Sequence, residues 1–325
     1  MSSAVQAETI EADAEDVEMT VVWSPFATGV PAWEKSGLTD SIGTAASRIV
    51  AGRFRIMAPL GRGGMGGVWL AEDELLERPV ALKQLSERYP ERGLDALAEA
   101  RAAARISHPS VVQVYDVILS KDGDWIVMEA LSGTSLSQVL RERGRLPAEE
   151  VTRIALQLLS ALEALRQVDL VHRDVKPGNV QVCEGDRVVL TDFGLSSRPG
   201  QLGGLRNGTV TGSLPYLAPE TIVDGHFGPP SDLYALGVTL YTAIEGHQPF
   251  DTSTPVSLLD SVLSEAPAPL QHAGPLRAVL EGLLEKDPAQ RMDAARARSC
   301  LQEMPLSRVP SRDLPTRDEG GRPAP

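Results

Sequence analysis

Cysteine is almost missing from the chain: Cys183 and Cys300 are the only two in 325 residues, far apart and without a Cys-x-x-Cys pair. That excludes a disulfide framework and a zinc knuckle and fits a reducing, cytoplasmic setting. Positive charge is in deficit, with 31 Lys and Arg against 44 Asp and Glu and a formal net charge of -13. Phosphate backbones are bound by clustered Lys and Arg, so no nucleic-acid partner is expected. A run of about 18 apolar residues is lacking too, and the first residues are acidic (Glu8, Glu11, Asp13, Glu15, Asp16, Glu18) where a signal peptide needs a basic start. No membrane span is expected. His108 has no second His or Cys at ligand spacing, so it reads as a packing and hydrogen-bonding residue rather than a metal ligand.

What is there suffices for a folded domain. With 42% hydrophobic and 23% charged residues, the chain can bury a substantial core, as one large domain or as two lobes with tails. Residues 1–48 form an acidic arm poor in periodic apolar residues, expected to be disordered apart from short islands at Trp23 and Trp33 that could dock on a surface. Residues 305–325 form a Pro- and Arg-rich tail with the same expectation.

The stretch between them that carries the most chemistry is Val171–Asn179, Val-His-Arg-Asp-Val-Lys-Pro-Gly-Asn. Phosphoryl transfer needs a group to orient the attacking hydroxyl, a cation against the charge of the moving group, and oxygen ligands for magnesium. Asp174 suits the first role, Lys176 the second and Asn179 the third. Upstream, Phe54–Met57 and Val68–Ala71 read as strands around a turn containing Gly61, Gly63 and Gly66, where glycine lets backbone N–H groups approach phosphate oxygens. A dinucleotide-binding fingerprint has this spacing but is followed by a helix. Here another strand follows, Pro79–Lys83.

Lys83 ends an apolar run and needs an anionic partner, either ATP phosphates or a carboxylate. The helix-favouring segment 95–106 offers Glu99. The alternative is a Lys83 that snorkels to solvent and a Glu99 on an exposed helix face. Val111–Val117 and Trp125–Met128 complete a predicted five-strand set, and Ser132-Gly133 reads as a hinge. From Pro147 the apolar spacing turns helical (Val151, Ile154, Ala155, Leu158, Leu162, Leu165), with Glu149 and Glu150 favourable at the helix start. Val180–Val182 and Val188–Leu190 predict a short hairpin, and Asp192-Phe193-Gly194 follows it, placing a second carboxylate across from Asn179 as a magnesium ligand. Helices are expected from Asp232, over 256–263 and 276–284, and up to Met304.

In order and spacing these stretches resemble the protein kinase family between Phe54 and Met304, most closely the bacterial eukaryotic-like (Hanks-type) serine/threonine kinases. The resemblance implies an α+β bilobal fold, with a β-rich N-lobe at about 54–131 and a helical C-lobe at about 132–304. It implies ATP and Mg2+, or Mn2+, as cofactors and Ser/Thr-containing proteins as substrates. Leu60, Gly61, Gly63, Gly66, Val68 and Ala81 would surround the nucleotide, and Glu129 and Leu131 would offer main-chain groups to the base. Lys83 would hold the α/β-phosphates and pair with Glu99, Asp174 and Lys176 would serve catalysis, and Asn179 and Asp192 would bind metal. Glu220 and Arg291 look like the buried ion pair of the large lobe.

Gly67, Trp69 and Ser213 depart from the family pattern, which more often has a small hydroxyl residue, a tyrosine and a threonine there. None deletes a catalytic group. The resemblance therefore favours an active kinase over a catalytically silent scaffold on the same fold, since Lys83, Asp174 and Asp192 are all present. Arg173 beside Asp174 implies a switch by phosphorylation of the loop that follows Asp192. Thr209 and Thr211 are its expected sites, modified during transient self-association.

Overall fold

The computed structural model describes residues 48–63, 66–85, 100–120, 123–192 and 213–304. Its N-terminal region is a curled antiparallel sheet of β1 (Ile49–Val50), β2 (Phe54–Gly63), β3 (Gly66–Asp73), β4 (Arg78–Gln84), β5 (Val114–Ile118) and β6 (Trp125–Glu129), in the order β1-β2-β3-β4-β6-β5. Side chains alternate across a strand, and the two faces of this sheet have different neighbours. Val80, Leu82, Trp125 and Val127 join Phe54 and Ile56 in an outer cluster. Val68, Ala81, Ile126 and Met128 face the other way and merge with the core of the helical region. Lys83, two residues after Ala81, shares that inner face.

The sequence placed a strand over 111–117, but only Val114 onward belongs to the sheet. Val111 instead forms a parallel bridge to Leu190, and Val112 N–H donates to the Leu190 carbonyl at 3.1 Å, tying the sheet to the region below it. β1 stands ahead of Phe54, where the sequence marked no strand, and pairs with β2 through Val50 and Phe54.

The C-terminal region is helical around a small sheet, β7 (Gly133–Ser135), β8 (Val180–Cys183) and β9 (Val188–Leu190), in the order β7-β8-β9. β7 begins at Gly133, within the Ser132-Gly133 pair that reads as a hinge, and the helix Leu136–Arg143 follows it; Ser135 caps this helix by accepting from Gln138 N–H. The helix Ala148–Arg166 buries the apolar stripe its spacing predicts, from Val151 to Leu165, with Glu149 and Glu150 in its first turn and Arg166 in its last. Pro229–Glu245 is apolar nearly all round and accordingly central. Gly237 lets it approach its neighbour: a Cβ there would lie 2.9 Å from Leu283 Cβ. Pro219–Asp224, Pro255–Ser264, Arg277–Leu283 and Ala294–Gln302 are further helices of this region. None of the described helices is long and apolar enough to cross a membrane.

Candidate active site

Asp174 lies in a loop held from below by one carboxylate. Asp232, in the first turn of Pro229–Glu245, accepts His172 N–H at 2.7 Å and Arg173 N–H at 2.8 Å. Arg173 adopts a left-handed backbone, φ 70°, which costs a non-glycine residue about 1–3 kcal/mol and persists only where its surroundings enforce it. The two bonds to Asp232 enforce it. Burial pushes the Asp232 carboxyl up to about 7 against the opposing pull of these donors. In the sequence Asp232 reads only as a helix start; its partners lie about sixty residues away and leave no local signal.

His172 is fully buried and locks the next turn. Its Nδ1 accepts Asp174 N–H at 3.2 Å, so its proton sits on Nε2, donated to the Thr191 carbonyl at 2.9 Å. Desolvation lowers the imidazole to about 4, in keeping with a ring whose two nitrogens are both committed in the neutral form.

Three groups meet at the Asp174 carboxylate. Asn179 Nδ2 donates to Oδ2 at 2.8 Å and to the Asp174 carbonyl at 2.8 Å, while Lys176 Nζ stands 3.2 Å from Oδ2 and donates to Ser213 Oγ at 2.8 Å. Burial alone would raise the Asp174 carboxyl. Lys176, the Ser213 hydroxyl, His172 and Asn179 outweigh it and hold the group below the usual carboxylate range. Asp174 is therefore ionised at neutral pH.

The hairpin brings the metal candidates together. Beyond the Val180↔Leu190 pair, the ladder continues through Thr191 N–H to the Asn179 carbonyl at 2.9 Å, so Asp192 is one residue past the partner of Asn179. Asp192 is also left-handed, φ 59°. With Asn179 Nδ2 committed to Asp174, its amide oxygen is the free ligand atom. Among the described residues no cluster of three His, Cys, Asp or Glu could hold a metal alone. One amide oxygen and one carboxylate fit a Mg2+ that takes its remaining ligands from phosphates and water.

Lys83, 6% exposed, donates from Nζ to Asp192 Oδ1 at 2.7 Å. Its expected partner Glu99 lies outside the described residues, as do Phe193, Gly194, Thr209 and Thr211. Gly61 pairs with Val68 and Gly63 with Gly66 across the β2–β3 turn, and Leu60 packs against the same core as Val68, Ala81 and Leu131. Glu129 N–H donates to the Gln113 carbonyl, and its carboxylate, which the sequence gave no role, takes a two-point bond from Arg187 at 2.6 and 3.0 Å. Glu220 and Arg291 form a two-point pair at 2.7 and 2.9 Å, with Arg291 also donating to the Glu285, Pro230 and Lys286 carbonyls.

A curled sheet above a helical region, with a carboxylate, two lysines and an amide–carboxylate pair between them, fits the scaffold of a nucleotide-dependent phosphotransferase. The pattern described for protein kinase domains matches residues 54–303, and the chain belongs to that family. It is 35% identical over 252 residues to the serine/threonine-protein kinase PknA of Mycobacterium tuberculosis, covering 74% of this chain and 58% of that protein. It is similar also to pkn2 of Myxococcus xanthus (36% identity, 77% of this chain, 32% of the relative) and to PrkC of Bacillus subtilis (33%, 76% and 39%). The chain thus spans between a third and three fifths of the length of these relatives.

Proposed function

We propose that this chain transfers the γ-phosphoryl group of ATP to Ser and Thr hydroxyls of proteins in the cytoplasm. The observation that carries the reading is the Asp174 carboxylate, ionised and fixed by Asn179 and Lys176, with Lys176 bound in turn to Ser213. Asp174 orients the substrate hydroxyl and accepts its proton as the Oγ–P bond forms and the bond to the β-phosphate oxygen breaks. Lys176 offsets the charge on the transferring group, and Lys83 positions the remaining phosphates. Asn179 and Asp192 would hold Mg2+, which when bound neutralises phosphate charge. Gly61, Gly63 and Gly66 cover the phosphates, while Glu129 and Leu131 offer main-chain groups to the base. Self-phosphorylation at Thr209 or Thr211 between transiently associated copies would raise activity by giving Arg173 a new phosphate contact.

The test is to incubate purified protein with Mg2+, labelled ATP and a generic Ser/Thr protein substrate, and to map the phosphate by mass spectrometry. Label on Ser or Thr that disappears in Asp174→Asn supports the reading. No label from a folded, ATP-binding wild type would leave the silent scaffold in its place.

A further inference from the structure

Arg187 immediately precedes β9, and all three nitrogens of its guanidinium are bonded to groups of the curled-sheet region. Nε donates to the Pro109 carbonyl at 2.7 Å, and the two terminal nitrogens donate to the Glu129 carboxylate at 2.6 and 3.0 Å. Its partners come from the two segments by which that region meets the hairpin. Pro109 opens the stretch in which the Ser110 carbonyl and Val112 N–H bond Leu190, and Glu129 ends β6.

The end of the hairpin thereby grips the crossover at both of its ends. Cys183 N–H donates to the Arg187 carbonyl at 2.8 Å, so these two residues close the hairpin together. On one side Cys183 pairs with Gly133 of β7, seated so closely that a Cβ on Gly133 would lie 2.5 Å from the Val182 carbonyl oxygen. On the other side the Arg187 guanidinium takes Glu129. Only Ala130, Leu131 and Ser132 lie between the two attachments. An isolated exposed ion pair contributes little, but this pair is half-buried, and a planar fork that grips a carboxylate at two points and a carbonyl at a third fixes direction as well as distance. The Lys83–Asp192 bond also joins the two regions, yet it lies at the phosphate end and uses groups that nucleotide and metal would engage. Arg187 bonds to atoms that have no part in nucleotide binding.

We propose that Arg187 is a positioning residue for ATP: its guanidinium holds the crossover from Glu129 to Gly133 in the conformation that receives the base. The proposal rests on the nucleotide reading of the site, in which Glu129 and Leu131 offer main-chain groups to the base. Without the fork the crossover keeps only its Gly133 attachment to the hairpin end and samples arrangements that do not fit the base. Affinity then falls in proportion to the fraction of molecules out of place.

The experiment separates positioning from folding. ATP binding in the presence of Mg2+ is measured by titration calorimetry on the full chain, for wild type, Arg187→Met, Arg187→Lys and, as a control, Arg143→Met, which removes a two-point pair with Glu150 inside the helical region. The expected dissociation constant is about three- to tenfold weaker in Arg187→Met and intermediate in Arg187→Lys, which keeps the charge without the fork, with the number of sites unchanged and the control at the wild-type value. A role in folding alone would lower the number of sites titrated and leave the dissociation constant as in wild type; that result would overturn the proposal and leave the phosphotransferase reading standing. A control weakened as much as Arg187→Met would overturn it too. If Arg187→Met does not fold, Arg187→Lys decides on the same two readouts. A folded wild type that binds no ATP would overturn both the proposal and the reading it rests on.

Discussion

Gly67 makes room for Trp69. A Cβ on Gly67 would lie 2.9 Å from the indole Nε1 and 3.3 Å from Cε2, while its backbone is not left-handed, so the position needs space and not conformational freedom. Two apparently separate departures from the family pattern are thereby one packing arrangement: the larger ring at 69 goes with the missing side chain at 67.

The sign of a substitution follows. Gly→Ala at an open strand position stabilises, since glycine in a strand loses more conformational entropy. Gly67→Ala should instead destabilise by about 1–3 kcal/mol, the usual cost of overpacking. Trp69→Tyr should relieve it, so that the double variant falls short of the sum of the single effects in urea unfolding.

At Asp174 the prediction is kinetic. Asp174→Asn keeps the shape of the side chain and removes the proposed base, and turnover should fall about 10²–10⁴-fold while ATP affinity changes little. Single-turnover transfer to protein, measured beside calorimetric ATP binding, checks both halves. Near-normal transfer would remove Asp174 from its role.

Stability against pH should carry the mark of His172. Its folded value, about 4, lies below the ordinary 6.5, so between these values the unfolded chain takes up a proton that the folded chain refuses. Stability falls as pH drops through this window, by about 3 kcal/mol in all. Asp232 has the opposite sign: its value is raised from 3.8 to about 7, and its contribution grows as pH falls from about 7 towards 3.8. A His172→Gln variant keeps Asp232 and removes the first term. Wild type should lose about 3 kcal/mol relative to that variant between pH 7 and 4 in urea titrations, and parallel curves would contradict the assignment.

Arg291 should be among the most sensitive positions for folding. It is 6% exposed, and its removal strands the Glu220 carboxylate and three backbone carbonyls. Arg291→Met should cost about 3–5 kcal/mol. A control at Arg55, whose partners Glu72 and Glu74 are exposed, should change little.

What was legible in the sequence was local. Val171–Asn179 and the spaced glycines are contiguous, and the helix Ala148–Arg166 and the hairpin announce themselves by period. β1 was not legible, because two residues have no period. Val111 was read into a strand because its apolar character is the same whether it pairs with the sheet or with Leu190. The largest omissions are of another kind: Asp232 and Arg187 owe their meaning to groups far along the chain, which neither composition nor spacing records.

The Asp232 contact also sets an order of events during synthesis. His172 and Arg173 leave the ribosome 60 and 59 residues ahead of the carboxylate that holds them, roughly 3–12 s at ordinary elongation rates. A nascent chain in that interval already has β2–β3, Lys83 and Asp174, yet lacks the carboxylate that accepts the Arg173 N–H. Premature termination before Gly228 would release a fragment that has Lys83, Asp174, Lys176, Asn179 and Asp192 but lacks the carboxylate beneath their loop. Support for His172 and Arg173 from this carboxylate is thus withheld until synthesis has reached Asp232.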